Sequence, residues 1–190
     1  MRAMSSAFLP PDQTRTDRLC IRRYHLGDGP ELGRVAVDSY AHLRPWLQWP
    51  VPTQTDATSE GLVRGFLGNW LLNRDFVLSI RSADGKRQIG GTGYHLHHGP
   101  LSDGVAEIGM WIASEYAGMG FGTHSLQTMV AWGFSEWPWR RMVWKCDARN
   151  TASRRVAEKA GFTLEGIAQR DGTAPDGLLR DTCSYAILKP

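Results

Sequence analysis

Cysteine is scarce in this sequence, with only Cys20, Cys146 and Cys183 among 190 residues and no Cys-x-x-Cys pair. This scarcity argues against a disulfide framework and against a zinc site built on cysteine. Long apolar runs are also missing, and the start "MRAMSSAFLPPDQTR" lacks the apolar core of a signal peptide. We therefore expect a soluble cytoplasmic protein with reduced thiols and no membrane partner.

A strong excess of charge of either sign is absent as well. The chain has 22 Lys and Arg residues against 19 Asp and Glu residues, a formal net charge of +3. Its basic residues include pairs such as Arg22–Arg23 and Arg140–Arg141 but no polybasic tract. Direct binding of nucleic acid is therefore not expected, whereas a small anionic ligand is compatible with this balance.

The patterns along the chain predict one mixed α/β domain. Residues 1–15 are predicted to form a flexible N-terminal arm and residues 16–190 a single domain, because no repeat or linker interrupts them. Strand and helix patterns follow each other in the order β, α, α, three strands, α, β, α, β. Asp84–Gly85 predicts a hairpin turn, and "RDGTAPDGLLRD" near the end is predicted to be a turn-rich segment.

Three glycines lie within five residues in "EYAGMGFGTHSL", Glu115 to Leu126, directly before a helical pattern. Such a loop lets backbone amides at a helix start approach an anion, because glycine has no Cβ. A Walker A loop needs a lysine before Thr123, and a dinucleotide fingerprint needs a glycine in place of Thr123. The diphosphate loop of acyl-CoA enzymes remains as a candidate, and a tight turn without a ligand is the alternative.

Two further segments change the balance between these alternatives. The stretches "AEIGMWIASEYAGMGFGTHSL" and "NTASRRVAEKAGFTLEG" together resemble the GNAT N-acetyltransferase superfamily, and within it the RimJ/RimL branch of ribosomal-protein N-terminal acetyltransferases. The resemblance extends over residues 15–188. It implies the GNAT acyl-CoA N-acyltransferase fold, an α/β (α+β) domain with a central mixed, mostly antiparallel sheet and flanking helices. Residues 105–113 and 142–147 would be two parallel strands that splay apart.

The same resemblance implies acetyl-CoA as the cofactor, CoA as the product, and no metal. The pantetheine arm would pair with backbone near Met110, Trp111 and Ile112, and Asn150 resembles the family asparagine that contacts this arm. The diphosphate would lie on amides of the loop formed by Gly118, Met119, Gly120, Phe121, Gly122 and Thr123. The loop departs from the family pattern at Ala117, where Gln or Arg is usual, so one side-chain contribution to affinity is expected to be missing.

Acetyl transfer from a thioester to an amine needs a base, donors for the oxyanion, and a donor for the departing thiolate. Glu107, in "AEIG", stands where several superfamily members place a base, and Glu165, in "GFTLEG", matches the glutamate proposed as base in the RimL-like branch. The resemblance favours Glu165 slightly, although either carboxylate could form a structural ion pair. Ser153 matches the branch serine beside the CoA sulfur, and its alternative is a helix-capping role. Direct attack is expected, with Cys146 as a core residue rather than an acyl carrier.

Two other groups of residues have weaker functional interpretations. His95 and His97, in "YHLHH", could suit a metal, but no third ligand lies nearby in sequence, so ordinary strand histidines are favoured. Trp46 and Trp49, in "PWLQW", are predicted to flank the acceptor entrance, with core packing as the alternative.

The acceptor is the open part of the prediction. The resemblance favours the α-amine of a protein N-terminus, as in acetylation of ribosomal proteins. The alternative is a small amine such as an antibiotic, an amino acid or an aminoacyl-nucleotide, and a third reading is a CoA-binding module without catalysis. Segments 24–60 and 167–180 would line the acceptor side, which varies most freely in such folds. By analogy with the branch, a homodimer is possible.

Overall fold

One sheet of eight strands forms the centre of the structure, a computed structural model that describes residues 8–190. The order across the sheet is β1-β2-β3-β4-β5-β6-β8-β7, and every neighbouring pair is antiparallel except β5 and β6. The strands are β1 (Gln13–Arg15), β2 (Leu19–Arg23), β3 (Phe76–Ser82), β4 (Gln88–His95), β5 (Val105–Ile112), β6 (Arg141–Asp147), β7 (Thr163–Thr173) and β8 (Leu179–Leu188).

Helices cover both faces of the sheet. They are α1 (Gly29–Asp38), α2 (Tyr40–Leu43), α3 (Asp56–Leu71), α4 (Phe121–Glu136) and α5 (Thr151–Lys159). α1 and α3 pack through Leu32 and Val63 on the face that carries Val77 of β3. The neighbouring Leu78 points to the opposite face and joins the larger cluster with Leu126 of α4, because successive strand residues alternate between faces. No helix within residues 8–190 has the length and apolar character needed to cross a bilayer.

Aromatic rings fill the centre of the larger cluster. The Trp137 ring, just after α4, lies 4.9 Å from Phe76, 4.8 Å from Tyr94 and 5.7 Å from Trp70, and it stacks on Trp139 at 5.8 Å. Rings of this size remove large apolar areas from water, and tilted or edge-to-face contacts between them add to that gain. The cluster therefore fastens the end of α4 to the middle of the sheet.

The parallel pair of β5 and β6 opens soon after it begins. Its ladder has only three residue pairs, from Val105–Arg141 to Glu107–Val143. β5 nevertheless stays paired with β4 as far as Ile112, and β6 stays paired with β8 as far as Asp147. Each strand follows its antiparallel neighbour, so the sheet divides between them. The predicted splay between two parallel strands is confirmed.

The C-terminal part of the sheet differs from the turn-rich segment that the sequence predicted. β7 and β8 extend into this segment as a hairpin, and only residues 174–178 connect them, with the Ala174 N–H donating to the Leu178 carbonyl. β7 is the edge strand and is exposed along almost its whole length. Because neither of its faces is buried, it lacks the alternation of apolar and polar residues by which a strand is recognised.

The predicted N-terminal arm, residues 1–15, lies only partly within the described residues. Residues 1–7 are outside them. Gln13–Arg15 pairs with β2 as strand β1, the Phe8 ring lies 5.7 Å from Trp137, and the Asn73 side-chain amide donates to the Phe8 carbonyl at 3.0 Å. The folded part of the chain therefore begins before residue 16.

The aromatic cluster leads to a prediction about stability. Phe76→Ala is expected to lower the free energy of unfolding by about 3–5 kcal/mol, because it removes a fully buried ring and leaves a cavity among three neighbouring rings. The matched control is Leu71→Ala, since the Leu71 residue is 76% exposed, and it should change the free energy by less than about 0.5 kcal/mol. Urea denaturation followed by circular dichroism measures both, and equal effects would contradict the role of the cluster.

Candidate active site

The opening between β5 and β6 is the centre of a cleft of about 840 Å³. Its walls come from α2 and the turn after it, from β5 and the glycine loop, from β6 and α5, and from the start of β8. A gap in a sheet suits a ligand, because backbone groups on both of its edges are left without strand partners. The cleft therefore offers hydrogen-bonding backbone as well as side chains.

The cleft passes through the sheet from one face to the other. Trp144 of β6 donates to Ser153 of α5, on the face covered by α4 and α5. The next residue, Lys145, points to the opposite face, where its ammonium lies 3.3 Å from the Glu107 carboxylate. Two molecules could therefore approach the gap from opposite faces and meet within it.

The glycine loop adopts a conformation that only glycine accommodates without strain. Gly118 and Gly120 have φ values of 76° and 80°, in the left-handed region. Gly120 is also the N-cap of α4, and no side chain caps the helix there. The amides of the first turn are therefore left without side-chain partners at the positive end of the helix dipole, and the loop lines one end of the cleft.

Most residues that were predicted to bind the cofactor lie together in this cleft. They are Met110, Trp111, Ile112, Gly118, Gly120, Gly122, Thr123, Asn150 and Ser153. Two loop residues are not part of its lining. Met119 is exposed to solvent, and the Phe121 ring lies under the Arg18 guanidinium at 4.8 Å. A contribution of these two residues could come only from their backbone, and the binding roles of the whole set stay predictions.

Asn150 and Ser153 form the start of α5. The Asn150 side-chain oxygen accepts a hydrogen bond from the Ser153 backbone N–H at 3.0 Å, which caps the helix. The Ser153 hydroxyl oxygen accepts from the Trp144 indole N–H at 3.0 Å. An indole can only donate, so the hydroxyl proton of Ser153 is left to point towards another acceptor. Ser153 is thus a donor inside the cleft, with the Cys146 sulfur as a neighbouring acceptor, and Asn150 rather than Ser153 supplies the cap.

Glu107 lies where β5 and β6 begin to separate, and it lines the cleft with a side chain that is 17% exposed. Its carboxylate is surrounded by the Lys145 ammonium at 3.3 Å and the imidazoles of His97 and His98 at 3.3 and 3.1 Å. Burial opposes ionisation, but these neighbours outweigh it and lower the pKa of Glu107 below its ordinary value. Glu107 is therefore an anion at neutral pH.

Glu165, which the resemblance slightly favoured as the base, lies elsewhere. It is on β7, and β8 separates that strand from β6 and the gap. Its carboxylate forms a two-pronged ion pair with Arg141, one bond being 2.7 Å, and the Arg141 hydrogen bond lowers the pKa of Glu165. The side chain is 43% exposed and is not part of the cleft lining. Because a base must come within reach of the proton it removes, the geometry favours Glu107 over Glu165.

The two tryptophans predicted at the acceptor entrance are placed differently. Trp46 lines the cleft together with His42, Leu43 and Leu47 of α2 and the turn after it. Trp49 does not line it, but its ring packs edge-on against Trp111 at 5.6 Å. Trp46 is thus at the wall, whereas Trp49 supports the wall from outside.

Several charged or polar residues of the cleft were not recognised in the sequence. Lys145 and Asp147 of β6 and Arg180 and Thr182 of β8 lie on the same side of the sheet, with Asp147 directly opposite Thr182 in the ladder. The Arg149 guanidinium holds the pKa of Asp147 below its ordinary value. Arg155 and Lys159 of α5 line the cleft as well. No local pattern marks these residues, because their proximity depends on the strand order β5-β6-β8.

Comparison with protein families agrees with this architecture. The model of the acetyltransferase (GNAT) domain matches residues 18–163, most of the chain. The chain belongs to the GNAT acetyltransferase family. The predicted family and fold are confirmed.

Individual relatives of this GNAT domain share a limited part of its sequence. The putative ribosomal N-acetyltransferase YdaF of Bacillus subtilis (strain 168) is 36% identical over 94 residues, which are 50% of this chain and 51% of YdaF. The match thus spans about half the length of that relative. RimL, a ribosomal L7/L12 alpha-N-protein acetyltransferase solved with coenzyme A, has a TM-score of 0.83 at 23% identity, covering 92% of this chain and 96% of its own. The microcin C7 self-immunity acetyltransferase MccE, solved with acetyl-CoA and AMP, has a TM-score of 0.80 at 21% identity, covering 91% and 93%.

Cys146 also lines the cleft of this GNAT domain, on the strand that faces Ser153. Burial raises the pKa of its thiol to about 11. The thiolate, not the thiol, is the nucleophile, so Cys146 is poorly prepared to carry an acetyl group at neutral pH. The cleft therefore favours direct attack by the amine.

This pKa predicts slow alkylation of Cys146. At pH 8 we expect iodoacetamide to modify it about a hundredfold more slowly than glutathione, because the thiolate fraction is lower by that factor, and the rate should still rise above pH 9. Mass spectrometry of the peptide containing Cys146 measures the rate, with glutathione as the exposed control. Modification as fast as that of glutathione would contradict the assigned protonation state.

Proposed function

We propose that this GNAT domain transfers the acetyl group of acetyl-CoA to a primary amine by direct attack, with the α-amine of a protein N-terminus as the acceptor. One observation carries the proposal. The gap between β5 and β6 joins an anion-binding helix start on one side to the Glu107 carboxylate on the other. Acetyl transfer needs these two features at opposite ends of one reactive group.

Acetyl-CoA fits the α4–α5 side of the cleft. Its diphosphate would accept hydrogen bonds from the amides of the loop 118–123 and gain from the dipole of α4. Arg155 and Lys159 add two positive charges on α5, which compensates for Ala117 in the position of the usual Gln or Arg. The free edge of β5 around Met110–Ile112 would pair with the amide groups of the pantetheine arm. Complexes of RimL with CoA and of MccE with acetyl-CoA support this assignment.

Side chains of the chain would then handle the protons. Acetyl-CoA supplies a thioester that is already activated towards attack. The Glu107 carboxylate attracts the acceptor ammonium and takes its proton, directly or through one water. A backbone amide on the free edge of β5 polarises the acetyl carbonyl, and the amides of Met110 and Ile112 face that edge because the Trp111 carbonyl and the Ala113 amide turn towards β4. The Ser153 hydroxyl donates a hydrogen bond to the departing sulfur. Its oxygen already accepts a hydrogen bond from the Trp144 indole N–H, so its proton is free to point elsewhere.

The acceptor would enter on the α1–α3 side, past His42 and Trp46. A protein N-terminus is supported by the names of two similar proteins, since YdaF is a putative ribosomal N-acetyltransferase and RimL acts on ribosomal L7/L12. A small amine is the second candidate, supported by the similarity to MccE, an antibiotic self-immunity enzyme. A CoA-binding module without catalysis is less well supported, since Glu107 and Ser153 both line the cleft.

Binding and turnover measurements test the proposed function. Isothermal titration is expected to show acetyl-CoA binding that ATP and NAD do not displace. Gly120→Val should weaken this binding about tenfold or more, because φ is 80° there and a branched side chain strains the loop. Release of CoA should then be measured across N-terminal peptides of ribosomal proteins and a set of amine antibiotics and aminoacyl-nucleotides. Absence of acetyl-CoA binding would refute the proposal, and turnover of the small amines alone would transfer it to the second candidate.

A matched pair of variants tests the assignment of the base. Glu107→Gln is expected to lower kcat by about 10²–10⁴ with little change in acetyl-CoA affinity, because the amide cannot accept the proton. Glu165→Gln is the control, since it makes the same chemical change at the Arg141 ion pair outside the cleft. It should leave kcat near the wild-type value. The reverse result, a large loss in Glu165→Gln alone, would return the role of base to Glu165.

A further inference from the structure

A cluster of three histidines lies around Glu107 at the end of β4. This histidine cluster consists of His95, the last residue of β4, and of His97 and His98 in the turn after it. The His97 Nδ1 lies 3.3 Å from one carboxylate oxygen of Glu107, and the His98 Nε2 lies 3.1 Å from the other. The His95 ring stacks on His97 at 5.3 Å with an interplanar angle of 11°.

The arrangement of this cluster differs from that of a metal site. In the part of the chain that the structure describes, no group of three or more His, Cys, Asp or Glu side chains is arranged to hold a metal ion. The imidazole nitrogens instead face carboxylate oxygens, and the His95 Nδ1 lies 2.7 Å from Asp75. Imidazoles paired with carboxylates, beside a group that removes protons, suit the transfer of protons.

The proposed reaction has to dispose of one proton in every cycle. An ammonium and a thioester become an amide and a thiol, so one of the two protons lost by the nitrogen goes to the sulfur and the other leaves the protein. Glu107 accepts the proton that has to leave the protein, but the Glu107 side chain is only 17% exposed. A more exposed neighbouring group would therefore speed the passage of this proton from Glu107 to bulk water.

We propose that His97 carries this proton from Glu107 to solvent, an inference that rests on the proposed acetyl transfer. His97 lines the cleft and its side chain is 61% exposed, so it reaches both Glu107 and bulk water. The substrate N–H bond breaks as the proton passes to the Glu107 oxygen. That O–H bond then breaks as an N–H bond forms at the neutral His97 Nδ1, and the Nε2 proton leaves to water. Water then returns a proton to Nε2 and removes the one on Nδ1, which restores the tautomer that accepts the next proton.

The electrostatics set the direction of this transfer. Burial opposes ionisation, but the Lys145 ammonium and the two imidazoles lower the pKa of Glu107. A proton on this carboxyl group is therefore held weakly and can be passed to a neighbouring acceptor. The groups that face His97 are Glu107 of β5 and the stacked His95, itself paired with Asp75, and Lys145 and His98 face the same carboxylate.

His98 and His95 are less suited to this role. The His98 side chain is 29% exposed and does not line the cleft, and its bond to the second oxygen of Glu107 holds the carboxylate in place. His95 forms a hydrogen bond with Asp75, and its ring stacks on the ring of His97. Only His97 of the three lines the cleft, which makes it the carrier and the other two positioning residues.

His97→Asn and its rescue by imidazole test the inference. We expect kcat to fall roughly tenfold, less than on removal of the base itself, because water still takes the proton slowly. Free imidazole in the buffer should restore most of the lost rate, since His97 is exposed and a diffusing imidazole can reach the vacated position. His98→Asn is the matched control, and its rate should not respond to imidazole. Circular dichroism and a second variant, His97→Gln, separate this effect from a loss of folding.

The pH profile gives a second readout. Wild-type kcat should fall towards acidic pH, because an imidazole that is already protonated cannot accept another proton. His97→Asn should lose this decline and His98→Asn should retain it. A wild-type rate and profile in His97→Asn, or imidazole rescue of His98→Asn, would overturn the assignment to His97 and leave acetyl transfer intact. Absence of turnover by the wild-type protein with every amine would instead overturn the proposed function itself.

Discussion

The short parallel ladder between β5 and β6 is the constraint on which the rest of the structure depends. Three paired residues hold the two strands together, and beyond Glu107 each strand is drawn away by its own antiparallel partner. The division leaves two free backbone edges and a passage through the sheet. The same divergence places two segments at that passage. They are the glycine loop after β5 and the start of α5 after β6. A longer ladder would close the cleft and separate the two halves of the site.

The passage also divides the chemistry between the two faces. The α4–α5 face presents helix-start amides and cations, which suit a phosphate-bearing ligand. The other face presents Glu107 and the histidine cluster, which suit an amine that has to lose a proton. The pKa of Glu107 is lowered rather than raised, so this carboxylate attracts a cation well but holds a proton poorly. That property connects the proposed base to the proposed carrier, since a weak base beside exposed imidazoles can pass its proton onward.

Local patterns predicted those parts of the fold that depend on neighbouring residues in the chain. The hairpin around Asp84–Gly85, the strand before the glycine loop and the helix after it appear as expected, because turn chemistry and periodicity are local. The edge strand β7 was missed, since an exposed strand carries no alternation. The choice between Glu107 and Glu165 also could not be made from local sequence. Both are single glutamates in matching motifs, and only the position of β8 between β7 and β6 separates Glu165 from the cleft.

The sequence by itself determined the family, the order of most elements and the glycine loop proposed to hold the cofactor, because the glycines and the helix start are consecutive residues. Only the tertiary structure decided which side chains share the gap. Lys145, Arg180 and His97 come from three separate segments, and they line one cleft because β4, β5, β6 and β8 are consecutive strands in the sheet. The "YHLHH" stretch shows the difference most clearly. Its spacing suggested either a metal site or ordinary strand histidines. In the structure, the strand register places Glu107 opposite His95, and the imidazoles of His97 and His98 contact the Glu107 carboxylate.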